Sequence, residues 1–364
     1  MKLIIKILIP IFLLSCSSRD IKVSIFAKID ERDEYENNYI SNEKKSIDKI
    51  KFFEFFFNSI FDPPKKKKFD SVDIDNKIYE KNLSLLTWSG HSTFLFQKKN
   101  INIIIDPHFS KRASPFSFIG PKRYTPSNLN TENLPEIDFI AISHNHYDHL
   151  DIPTLKALQK KFPDVYYLVP LGDRKLLEES GIKKVIEFDW WQSLKIEDVE
   201  FVFTPVQHWS KRTFSDRNKS LWGGWWINID DYKFLHLGDT GYTKDFIDIK
   251  NKLGKPDLVA IPIGAYKPRN IMRLSHLNPE EAVKTFIDLE ADKAVSMHWG
   301  TFILSQENVD DPVIDLKKEM LKYKVDQKDF LIPKHGETID LDKLHSRDSH
   351  QACPSCIKFL SHLD

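Results

Sequence analysis

The stretch SHNHYDHLD, Ser143 to Asp151, places three histidines and two aspartates within nine residues. It follows the apolar run Phe139 to Ile142 and precedes a helical pattern beginning near Ile152, so it sits where a strand ends. Residues two apart on an extended segment point the same way, which aims His144 and His146 at one point. Where the chain turns into the helix, Asp148 and His149 can face a second point beside the first. Imidazole nitrogens and carboxylate oxygens together form a donor set suited to zinc and similar divalent cations.

Two cations need more donors, and the later sequence supplies them in equivalent places. His208 follows EFVFTPVQ, Asp239 follows YKFLHLG and His298 follows KAVSM, each just beyond an apolar run. The set is then His144, His146 and His208 for one ion, Asp148, His149 and His298 for the other, and Asp239 bridging both. A lone histidine after a strand is ordinarily a surface or core residue, but five in such places with two aspartates are not. His91, His108, His236 and His335 also lie near strand ends and are not counted as ligands. His91 and His335 are placed to orient ligands, and His236 to fill space behind Asp239.

The elements that must position these residues read as α/β. NIIIDP, DFIAISH, YYLVP, EFVFTP, YKFLHLGD and DLVAIPIG have the character of buried strands, whereas IPTLKALQKKF and PEEAVKTFIDL have helical spacing. Asn278 is placed to cap the second helix, with Pro279 in its first turn and Glu280 and Glu281 complementing its dipole. Hydrophobic residues make up 41% of the 364 residues, enough for a sizeable core. Lysine plus arginine and aspartate plus glutamate each number 53, so no global field gathers a polyanion, and nucleic acid is not the expected partner.

The first residues, MKLIIKILIPIFLLSCSSRD, carry Lys2 and Lys6 and an apolar stretch from Ile7 to Leu14. That stretch is far short of the roughly 20 residues of a spanning helix and suits a secretion signal. The LLSC end resembles a bacterial lipobox, which makes 1–15 a signal peptide and Cys16 a lipidated first residue in the cell envelope; the plainer alternative is an ordinary cleaved signal. Residues 16–80 are rich in charged and amide side chains and read as a solvated tether. Within them, Phe52 to Phe61 (FFEFFFNSIF) is either a helix docking on the main domain or a lipid-touching segment. The main domain is expected over 81–345. In the polar tail, 346–364, Cys353 and Cys356 suggest a small disulfide more than a thiolate metal site.

Read in order, GHSTFLF, DPHFSKRASP, GPKRY, ISHNHYDHLD, FTPVQHWSKRT, LWGGW, GDTGY, AIPIGAY, HLNPEEAV, MHWGTF and KHGE resemble the N-acyl phosphatidylethanolamine-hydrolysing phospholipase D family of the metallo-β-lactamase superfamily. The resemblance runs from about residue 85 to 340. It implies an αββα sandwich, two zinc ions, a membrane phospholipid as substrate, and a phosphodiesterase releasing phosphatidate and an N-acylethanolamine. It is also compatible with a homodimer and places His276, in the loop before Asn278, near the reacting atoms as a proton donor or oxyanion contact. Asp148 is the candidate to orient the attacking water. Trp209 beside His208 is suited to line a lipid groove, where Lys211 or Arg212 can meet phosphate charge; most of Trp190, Trp191, Trp222, Trp225 and Trp226 are expected in the core. Three other readings stay open: a hydrolase of a lactone or a soluble phosphodiester, and an envelope lipoprotein that keeps the fold without activity. A nuclease fits the balanced charge and the export signal poorly.

Overall fold

Side chains that alternate along the early strands enter two different cores. Phe94 and Phe96 join one with Trp88, Ile103 and Ile105, while Leu95 and Ile104 join the other, as the two-residue repeat of an extended chain requires. The computed structural model describes residues 26–40, 64, 67–196 and 198–345. Its strands are β1 (Leu85–Gly90), β2 (Thr93–Lys98), β3 (Ile101–Ile105), β4 (Phe139–Ala141), β5 (Tyr166–Pro170), β6 (Val185–Phe188), β7 (Ser193–Ile196), β8 (Val199–Thr204), β9 (Gly224–Ile229), β10 (Tyr232–His236), β11 (Leu258–Pro262), β12 (Lys293–Met297), β13 (Phe330–Leu331) and β14 (Thr338–Asp340). They form two seven-stranded sheets, ordered β14-β1-β2-β3-β4-β5-β6 and β13-β12-β11-β10-β9-β8-β7.

Strand direction explains why the site gathers on one edge. In the first sheet β1, β2 and β3 pair antiparallel, and β3 to β6 run parallel. In the second, β8, β9 and β10 are antiparallel, and β10, β11 and β12 parallel. β1, β3 and β4 therefore share one direction, and β8, β10 and β12 share one, so the residues following each set emerge along a common rim.

The helices are α1 (Ile152–Lys161), α2 (Arg174–Glu179), α3 (Asp245–Leu253), α4 (Arg269–Met272), α5 (Pro279–Asp288), α6 (Asp311–Tyr323) and α7 (Leu341–His345). Leu155 and Leu158 of α1 and Leu177 of α2 cover the outer face of the first sheet. Ala282 and Val283 of α5, with Leu316 and Met320 of α6, pack with the second sheet. The result is helix, sheet, sheet, helix, the expected α/β sandwich. α5 starts as its sequence requires: Asn278 Oδ1 accepts from Glu281 N at 2.8 Å, and the Glu281 carboxylate accepts from Asn278 N at 3.0 Å. Such a cap contributes about 1 kcal/mol.

The expectation of a solvated tether over 16–80 fails for its described parts. The Asp189 carboxylate accepts from Phe26 N (2.9 Å) and Ala27 N (3.2 Å), and Tyr35 is buried with its amide donating to Asn218 O at 2.9 Å. Further on, the Phe69 ring packs edge-on against Trp299 at 5.2 Å, and Val72 N donates to His335 O at 2.8 Å. The composition misled because hydrogen bonds, rather than an apolar stripe, hold much of this segment, so the packed unit begins before residue 81. Residues 1–15, Cys16, Phe52 to Phe61, Cys353 and Cys356 lie outside the described residues.

Candidate metal centre

The rim between the two sheets collects the expected donors into two touching clusters. In the first, His144 Nε2 lies 2.8 Å from His146 Nδ1, which lies 3.2 Å from His208 Nε2. In the second, Asp148 Oδ2 lies 3.4 Å from both His149 Nε2 and His298 Nε2. Asp239 Oδ2 stands between them, 3.1 Å from His298, 3.2 Å from His149, 3.8 Å from His208 and 3.9 Å from His144. The seven residues expected from sequence thus come together, with Asp239 between the two groups.

The chemistry of this donor set fits divalent cations. His149 Nε2, His298 Nε2 and Asp239 Oδ1 are buried and have no hydrogen-bond partner among the described residues, although opposite charges lie close. Buried polar atoms normally find partners; here they converge on shared points instead, as ligand atoms do. Among the described residues, the groups of side chains whose donor atoms all lie within 4.8 Å of one another are His144, His146 and His208; His91, Asp148, His149 and His298; His144, His149 and Asp239; and His208, Asp239 and His276.

Electrostatics differ between the clusters. Burial holds His144 and His208 well below their ordinary range and pushes His146 down to about 4, so these rings present lone pairs. Burial opposes charge on His149 and His298 too, but Asp239 and Asp148 outweigh it, raising His149 well above its usual value and His298 to about 9. Burial would also raise Asp148 and Asp239, yet the surrounding histidines hold both carboxyls well below the usual range.

Outer hydrogen bonds set each ring. His149 Nδ1 donates to Asp106 Oδ2 at 2.8 Å, turning Nε2 toward the cluster, and the same carboxylate accepts from Ser143 N (2.7 Å) and Oγ (2.6 Å). His208 Nδ1 donates to Ser275 O at 2.9 Å. The His208 backbone is gripped from far away in sequence: Asn37 Oδ1 accepts from His208 N at 2.9 Å, and Asn37 Nδ2 donates to His208 O at 3.1 Å. His91 Nε2 donates to Asp148 Oδ2 at 2.9 Å, the orienting place expected for it, with its ring 4.1 Å from that of His298. Asp106 and Asn37 were missed from sequence. Asp106 had a signal, an aspartate directly after the buried run of β3; Asn37 had none.

Backbone geometry supports the rim. His91, Asp106 and His298 all take left-handed φ values, of 55°, 44° and 60°, immediately beyond β1, β3 and β12, a conformation that costs a non-glycine residue energy and clusters at functional sites. Gly238, at φ 60°, precedes Asp239, and a Cβ there would lie 2.8 Å from Ser143 Cβ.

His276 sits at the mouth of the site with its side chain 12% exposed, Nδ1 3.9 Å from Asp239 Oδ2 and without a hydrogen-bond partner. Arg269 fixes this loop, donating to His276 O at 2.9 Å while its other nitrogen pairs with Glu281. His108, His236 and His335 lie apart from the clusters. His108 packs against Arg123 and Phe302, His335 Nε2 contacts Thr301 Oγ1, and His236 Nδ1 accepts from Gly238 N just before Asp239. Trp190, Trp222, Trp225 and Trp226 are core, as expected, whereas Trp209 packs 4.3 Å from the His146 ring. Arg212 departs from the phosphate-binding expectation: Nη1 donates to Asn145 O and Leu150 O, both at 2.8 Å, and its guanidinium lies over Tyr147. It braces the ligand loop.

Fold and site together define a metal-dependent hydrolase of the β-lactamase superfamily, and residues 101–299 match the β-lactamase superfamily domain. The isothiocyanate hydrolase from Delia radicum gut bacteria shares the fold, with a TM-score of 0.57 at 20% identity over 70% of this chain and 98% of that one. The chain is 38% identical to N-acyl-phosphatidylethanolamine-hydrolyzing phospholipase D 1 of Caenorhabditis elegans over 67% of its own length and 71% of the worm protein. It is 36% identical to the mitochondrial N-acyl-phosphatidylethanolamine-hydrolyzing phospholipase D of Saccharomyces cerevisiae, over 62% of this chain and 49% of the yeast protein. The chain belongs to the N-acyl phosphatidylethanolamine-hydrolysing phospholipase D family.

Proposed function

We propose that the chain is a two-zinc phosphodiesterase of the phospholipase D type, hydrolysing N-acyl phosphatidylethanolamine to phosphatidate and an N-acylethanolamine. The observation that carries this reading is Asp239 Oδ2, placed 3.1 to 3.9 Å from histidines of both clusters, in a chain related to enzymes named for that hydrolysis. Divalent cations held here would supply water activation near neutral pH and neutralisation of phosphoryl charge. The chain's residues hold and aim the reactants. His144, His146 and His208 would hold one ion, Asp148, His149 and His298 the other, and Asp239 would be shared. Asp148, fixed by His91, accepts a hydrogen bond from the attacking water and sets its direction. His276 donates to a phosphoryl oxygen or to the departing oxygen, and Trp209 lines the apolar approach. The signal-like start and LLSC support an exported protein held in a bacterial envelope through a lipidated Cys16.

The test offers purified, zinc-loaded protein N-acyl phosphatidylethanolamine in micelles beside a soluble phosphodiester and a lactone. Phosphatidate and N-acylethanolamine should appear in equal amounts, with the lipid preferred. Preference for a soluble substrate would return the chain to the broader hydrolase reading, and no turnover with zinc bound would make it a silent envelope lipoprotein.

A further inference from the structure

Two loops beside the centre carry an exposed apolar surface that the mechanism does not use. Phe116, Phe118, Ile119 and Phe214 are 54%, 77%, 58% and 101% exposed. Phe116 and Phe118 lie 5.7 Å apart, and exposed apolar groups of this kind mark an interaction site. It is also built to stay exposed. The loop after β3 is a hairpin closed by Ala113 N to Pro121 O (3.0 Å) and Arg123 N to Lys111 O (2.9 Å). Arg112 braces it from inside, donating to Ser117 O at 3.2 Å and Gly120 O at 2.6 Å, which holds the aromatic tip outward. In the loop after β8 the Asp216 carboxylate accepts from Arg212 N (3.0 Å) and Thr213 N (2.8 Å), turning the chain so that Phe214 stands at the bend.

Both loops are rooted on the stretch that holds the ligands. Ser110 N donates to Asp151 Oδ2 at 3.0 Å, and Arg212 grips Asn145 O and Leu150 O. Tyr147, between His146 and Asp148, donates its hydroxyl to Arg212 O at 3.0 Å. Both loops therefore leave from residues that border the metal centre. The hairpin's charge is one-sided: residues 107–124 contain Lys111, Arg112, Lys122 and Arg123 and no acid, and Lys111 and Lys122 are exposed where its two arms close.

We infer that these loops dock the protein on an anionic phospholipid bilayer, the rings entering the boundary between headgroups and acyl chains while Lys111 and Lys122 meet lipid phosphates. Apolar rings flanked by lysines are the chemistry of interfacial binding. A second copy of the chain fits less well, because a two-fold contact sets a surface against itself and this one would bring lysines together with no acid in the hairpin. For its purpose, delivering a lipid headgroup to the centre, the inference rests on the lipid-hydrolase reading; docking itself is read without turnover, so the two can fail separately.

The experiment uses the full chain with Cys16→Ser, Cys353→Ser and Cys356→Ser, bearing a nitrobenzoxadiazole dye on Phe118→Cys or Phe214→Cys. Vesicles of phosphatidylethanolamine and phosphatidylglycerol should raise the dye emission and shift it to the blue at both positions. A dye on Leu321→Cys, exposed on α6, should not respond. Phe118→Ser with Phe214→Ser should lower vesicle partitioning at least about tenfold, and Lys111→Glu with Lys122→Glu should remove the preference for anionic over phosphatidylcholine vesicles. The inference is overturned if the dyes at 118 and 214 respond no more than the one at 321. It is equally overturned if light scattering shows that the serine pair turns a dimer into monomers.

Discussion

His144, His146 and His208 are kept free of protons by burial, whereas His149 and His298, in the adjoining cluster, are drawn the other way by Asp239 and Asp148. The supports differ as well. His208 is fixed by Asn37 and Ser275, both distant in sequence, while His149 is fixed by Asp106 and Ser143 at neighbouring strand ends. One half thus offers ready lone pairs, and the other must give up protons when a cation enters. The same residue type serves both because neighbouring carboxylates, not the imidazole itself, decide its charge.

The largest effect should come from removing what the halves share. Asp239→Ala is expected to abolish turnover and weaken zinc binding in both halves; a variant that keeps full zinc affinity in either half would show that the halves do not depend on this carboxylate. Next, His276→Ala should lower kcat by about a hundredfold with zinc content unchanged, because the ring stands at the mouth and outside both triads. Loss of metal, or unchanged turnover, would remove it from the mechanism.

The supports give a finer test of the contrast. Asn37→Ala should weaken zinc in the three-histidine half and Asp106→Asn zinc in the other, each by about tenfold to a hundredfold, in titrations against a competing chelator. Both variants affecting one and the same ion would erase the distinction. Smallest is the pH effect. His298 is raised from 6.5 to about 9, so its charged form stabilises the metal-stripped fold fully below pH 6.5, and that contribution is lost as pH rises through 9. Calorimetry of stripped protein should show Tm falling over this window, and the Tm gain on adding zinc should grow over it, since zinc replaces the proton. A zinc gain independent of pH would place His298 outside the ligand set.

Much of this site was legible because each donor follows an apolar run, and parallel strands deliver such residues to one edge. The runs around NIIIDP, DFIAISH, EFVFTP and YKFLHLGD became β3, β4, β8 and β10, and the two helical patterns became α1 and α5. Asp106 also follows an apolar run, but among 53 acidic residues it is singled out only once His149 is seen beside it. Asn37 was harder still. It lies in a polar stretch whose attachment comes from backbone and amide hydrogen bonds, which leave no periodicity. Arg212 was misassigned for a related reason: its charge was plain in the sequence, but the carbonyls that occupy it were not.

The most direct measurement of the central claim is a count of zinc ions by native mass spectrometry on the purified chain, on His208→Ala and on His298→Ala. Two ions in the parent chain and one in each variant are the predicted result. A parent chain that carries a single ion, or none when zinc is supplied, would contradict the paired centre.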